Sequence, residues 1–68
     1  MARRERQKVK IMINGRQQDV ISAEVDPDNE EDMREIGLRW LRGDRRAEDT
    51  EGVTVGAGSG WGYREVEV

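Results

Sequence analysis

The sequence predicts a small α+β domain of ββαβ(β) order, a mixed or antiparallel sheet packed on one amphipathic helix. Three observations predict it. Apolar residues alternate over 9–13 and again over 21–25, the period of a half-buried strand. Asn14-Gly15 lies between those runs, a strong short-range hairpin signal. Beyond Pro27, Met33, Ile36, Trp40 and Leu41 recur at helical spacing.

Residues 1–7 are polar and charged and read as a flexible basic arm, with residues 8–68 as the single domain. In the hairpin, 8–25, Val9, Ile11 and Ile13 share one face and Lys8, Lys10 and Met12 the other. Turn length then decides the register. A two-residue turn at Asn14-Gly15 sets Ile13 opposite Arg16 and Val9 opposite Val20, which separates the two apolar sets. An odd loop, Asn14-Gly15-Arg16 with a glycine bulge, sets Val9 opposite Ile21 and gathers Val9, Ile11, Ile13, Ile21, Ala23 and Val25 on one face. Full burial of such a side chain is worth about 1.5–3 kcal/mol, more than a local turn preference. The odd loop is therefore expected.

Asp26-Pro27-Asp28-Asn29 ends the second strand, because proline cannot continue a central ladder. Asp28 is expected to cap a helix over 29–42, with Glu31 completing a capping box. Acidic residues in the first turns and Arg39 and Arg42 near the end complement the helix dipole. Glu30–Arg34 and Glu35–Arg39 are favourable i, i+4 pairs, and Gly43 is the expected C-terminal cap. Gly37 falls on the apolar face. A mid-helix glycine costs roughly 0.5–1 kcal/mol, which suggests a close approach of helix to sheet there. Residues 44–52 connect. Strands are expected at 53–55 and 63–68, with Gly56–Gly62 as a loop between them; whether residues 43–68 form one strand or a second hairpin is left open by the sequence.

Composition sets the outer bounds. The chain has 68 residues, enough for one domain, and no cysteine or histidine. A domain this small buries only roughly 60% of its unfolded surface. Disulfides are impossible, the usual zinc ligand sets are missing, and no cofactor or metal is expected. At 34% hydrophobic and 40% charged residues the chain is close to a disordered composition, so the clustering of its apolar residues decides that it folds. No apolar run is of membrane-spanning length and no apolar stretch follows the basic start, so neither membrane nor secretion is expected. The lack of cysteine suits a cytoplasmic location. The net charge of −3 is arranged in blocks: residues 1–10 carry five positive charges and one negative, and residues 26–35 six negative and one positive.

Ala23-Glu24-Val25-Asp26-Pro27-Asp28 resembles the strand–helix junction of the ubiquitin-like β-grasp family, and the likeness extends over about residues 8–42. The resemblance implies a β-grasp-like fold used as a binding module. Ubiquitin-like modifiers and sulfur carriers end in Gly-Gly. This chain ends Glu65-Val66-Glu67-Val68, so neither conjugation nor sulfur transfer is expected.

Catalysis is not expected either. Histidine and cysteine are missing, and no pair of carboxylates stands apart in a cleft-forming context. The Gly56–Gly62 run lacks the Lys-Ser/Thr and the following helix of a phosphate loop and reads as a hairpin loop. Trp61 within it either covers the core or anchors a partner, and core cover is the commoner use. Asp28, Glu30 and Glu31 suit a helix start and equally a charged contact. Leu38 lies off the helix's apolar arc. Trp61, Leu38, Asp28, Glu30 and Glu31 together form the candidate partner surface of a non-catalytic interaction or regulatory module, of the accessory or phage-encoded inhibitor kind. Its partner would be another protein, or a second copy in a homo-dimer or larger structural assembly. The alternative is nucleic-acid association through Arg3, Arg4, Arg6, Lys8 and Lys10. It is less favoured, because no aromatic stacking platform accompanies those residues in the sequence.

Overall fold

The hairpin is longer than its apolar alternation. In the computed structural model, which describes residues 4–43 and 52–68, β1 spans Glu5–Ile13 and β2 Arg16–Val25. Then come α1 (Glu30–Gly43), β3 (Val53–Ala57), a 3-10 turn (Gly60–Gly62) and β4 (Arg64–Glu67). The expected start of the first strand at Lys8 is corrected to Glu5. Glu5 and Gln7 pair with Val25 and Ala23, because ladder hydrogen bonds are made by the backbone and continue past the last apolar side chain. Arg3 and the connecting residues 44–51 lie outside the described residues.

The sheet order is β2-β1-β3-β4, with every neighbouring pair antiparallel. Of the two arrangements the sequence left open for residues 43–68, the second hairpin is the one formed, between β3 and β4, and the chain crosses from edge strand β2 over β1 to reach β3. No helix among the described residues is long and apolar enough to cross a membrane.

The predicted shared face is present, but the odd residue sits elsewhere. Val9 opposes Ile21 and Gln7 opposes Ala23, as burial requires. The turn, however, has two residues. Ile13 pairs with Arg16, and Asn14 and Gly15 have φ of 52° and 79°. Two consecutive positive φ values are the signature of a type I′ turn, whose twist matches the strands. The register then shifts between Ile11 and Met12: Ile11 faces Asp19, Met12 faces Gln17, and Gln18 is left as a bulge. The local turn preference and the burial requirement are therefore both met.

One face of the sheet and the apolar stripe of α1 enclose the core. Val9, Ile11, Val25, Val53, Val55, Ala57 and Val66 come from the strands, and Met33, Ile36 and Trp40 from the helix. Gly37 allows the expected close approach. A Cβ there would fall inside the contact distance of the Val55 and Val68 methyls. The Trp40 Nε1–H donates to Asp19 Oδ2 at 3.0 Å, so the one polar atom of this buried ring is satisfied.

The helix cap is one residue later than expected. Asn29 Oδ1 accepts from the Asp32 N–H at 3.1 Å, and Asp32, in place of Glu31, reaches back to accept the Asp26 N–H at 2.9 Å. Asp28 is not the cap: the helix begins at Glu30, which makes Asn29 the residue before it, and the Asp28 carboxylate faces Arg64 Nε at 3.6 Å, while the Asp28 N–H donates to Asp26 Oδ1 at 3.0 Å in a local turn. Gly43 is itself helical and is not among the glycines of positive φ, so it is no left-handed cap. Glu35 and Arg39 pair at 3.5 Å, whereas Arg34 turns instead to the Glu67 carbonyl at 3.4 Å.

Candidate partner-docking site

The β3–β4 connection is more structured than a glycine-rich loop suggests. Gly56 and Ala57 belong to β3. Gly58, at φ 95°, turns the chain. The Gly62 N–H donates to Ser59 O at 2.9 Å and the Tyr63 N–H to Gly60 O at 3.3 Å, closing the 3-10 turn. Arg64 then clamps it. One guanidinium nitrogen donates to the carbonyls of Trp61 at 2.9 Å and Tyr63 at 3.0 Å. Its Nε lies 3.6 Å from the Asp28 carboxylate.

Trp61 stands on this clamped turn with 99% of its surface exposed. The expectation that it covers the core is corrected. The two flanking glycines offer it no neighbour, and Trp40 and Val66 already close the core, with Val68 packed against them.

Beside the turn lies an open groove of about 290 Å³, lined on one side by Glu5, Asp26, Pro27 and Asp28 and on the other by Gly58, Ser59 and Gly62. Two of the polar side chains that line it are already engaged. Asp26 holds the Asp28 N–H, and Gln7 Nε2 donates to the Val25 carbonyl at 3.1 Å. No cluster of three or more metal-ligating side chains forms among the described residues.

The structure thus brings Asp28 together with the Trp61 turn through Arg64, and it leaves Glu30 and Glu31 exposed in the first turn of α1. Leu38 is half-buried, lies further along the helix and does not join this surface.

The basic residues separate into two groups. Arg4 is held in place: its guanidinium pairs with Asp32 at 3.2 Å and donates to the Glu24 carbonyl at 3.2 Å. Arg6, Lys8 and Lys10 project from the opposite face of β1, away from α1. Tyr63 lies on that same open face, over Gly56, with the Lys10 ammonium 5.8 Å from its ring centre. The Tyr63 hydroxyl donates to Glu65 at 3.1 Å. Burial first, then the Glu65 hydrogen bond and charge, push the phenol above its usual range.

Tyr63, Arg64 and Asp19 had no signal in the sequence, since each acts through a partner brought near only by folding. No family model, no curated protein and no solved structure matches the chain.

Proposed function

We propose that the protein is a non-catalytic interaction module that docks another protein through the Trp61 turn and the adjoining acidic start of α1. The full exposure of Trp61 on a backbone held by Arg64 carries this reading. Tryptophan is among the residues most enriched at interface hot spots. Covering 150–250 Å² of aromatic surface at about 25 cal/mol/Å² is worth about 4–6 kcal/mol before ordering costs. The clamp reduces those costs, because the turn is already in place before a partner arrives. Asp28, Glu30 and Glu31 add a charged rim that favours a basic partner and speeds encounter. The likeness of residues 23–28 to the ubiquitin-like junction supports the same reading only at the level of fold, which says little about function.

Affinity capture with the intact chain, from an extract of the cells that make it, tests the proposal. A partner retained by the unaltered protein should be lost with Trp61→Ala, a hot-spot substitution worth about 2 kcal/mol or more. Leu38→Ala should retain it. Undiminished capture by Trp61→Ala contradicts the proposal.

A further inference from the structure

The open face of the sheet carries a separate feature. Arg6, Lys8 and Lys10 alternate along β1 and are all exposed, while Val9 and Ile11 between and beyond them are fully buried under α1. Same-face residues on a strand recur about every 6.6–6.8 Å, so the three cations leave the backbone in a row at that spacing. Among the described residues neither Arg6 nor Lys8 makes an ion pair, although Glu24 is the cross-strand partner of Arg6. Apolar surface borders the row. Val20, 41% exposed, lies opposite Lys10 on one side, and the Tyr63 ring lies beside Lys10 on the other. Tyr63 is thus the aromatic group that the sequence did not place next to the basic residues.

We propose that this face binds single-stranded nucleic acid, with Arg6, Lys8 and Lys10 on successive phosphates and Tyr63 and Val20 against the bases. The charge pattern calls for a polyanion, and the topology selects among polyanions. An extended acidic peptide gains most of its affinity by adding to a free strand edge. β2 pairs with β1 along its length and β3 pairs with it only from Lys10 onward, and the three cations stand on the sheet face, out of the plane in which an added strand would pair. A duplex is read by an element that enters a groove, whereas these cations lie on β1 in the interior of the sheet, between β2 and β3. A flexible single strand needs only a row of cations and a nearby ring. Glu65 and Glu67 on β4 bound the strip and restrict it to one backbone.

Fluorescence anisotropy of a labelled oligothymidine with the full chain tests this. Contact with three phosphates predicts binding at low salt, with log K falling against log salt at a slope of about −2. The Arg6→Gln/Lys8→Gln/Lys10→Gln variant, with its fold checked by circular dichroism, should bind about tenfold more weakly or worse. Trp61→Ala should bind as the unaltered chain does, which separates this site from the docking turn. The assignment is overturned by no binding at low salt, by undiminished binding of the triple variant, or by equal loss with Trp61→Ala. It is equally overturned if polyglutamate competes as well as the oligothymidine does, which would assign the strip to an acidic protein.

Discussion

Gly37 and Tyr63 show how a single residue can carry two opposed terms. Alanine at 37 would gain about 0.5–1 kcal/mol of helix propensity. Its methyl would also press on Val55 and Val68, and overpacking of a core costs about 1–3 kcal/mol. Packing should prevail: Gly37→Ala is expected to lower the urea midpoint, whereas a rise in the midpoint would mean that the helix can move off the sheet. For Tyr63 the sign follows from its neutral form, which burial and then Glu65 favour in the folded state. A phenol with a raised folded pKa contributes stability that is fully present below its unfolded pKa, near 10. That contribution is lost as pH rises through the folded pKa. Stability should therefore decline in the alkaline range above pH ~10. Glu65→Gln should move the phenol titration, followed by ultraviolet absorbance, back toward its ordinary range.

At the scale of elements, the sequence made clear which residues had to share a face but not how the chain would arrange it. Alternation placed Val9 with Ile21, and one odd residue had to be absorbed between them. An odd loop and a bulged strand satisfy that count equally, and the twist preference of Asn14-Gly15 decided for the bulge at Gln18. Deleting Gln18 should therefore be tolerated, because the two-residue turn then leads directly into the same face. Loss of cooperative unfolding in that deletion would show that the hairpin uses the odd loop instead. The cap shows a similar limit. Asp28 and Asn29 are both good N-cap residues, and the choice fell to Asn29 because the helix starts at Glu30 and the Asp28 carboxylate meets Arg64 across the fold. Asn29→Ala should cost about 1 kcal/mol in chemical denaturation, and Asn29→Asp should restore most of it. Equal stability of Asn29→Ala and the parent would move the cap elsewhere.

Across the whole molecule, one face of the sheet is used for folding and the other end and face are left for contact. α1 seals Val9, Ile11, Val55 and their neighbours. The Trp61 turn projects from the end where β1 begins and α1 starts, and the basic row occupies the uncovered face. The sequence showed the two amphipathic elements because their periods are local. It could not show the direction of Trp61, because glycine-rich segments have no period and the clamp joins Arg64 to Asp28 across the fold. Nor could it show that Tyr63 meets Lys10, which depends on β1 and β4 flanking β3.

The docking proposal rests on the contrast between the two tryptophans, Trp40 in the core and Trp61 in solvent. Fluorine NMR of the chain carrying fluorotryptophan measures that contrast directly, with Trp61→Phe assigning the signals. The expected result is one resonance with the full water-to-deuterium solvent shift, assigned to Trp61, and one with almost none, assigned to Trp40. A shielded Trp61 in the free protein would contradict the account, because its ring would then already be in use.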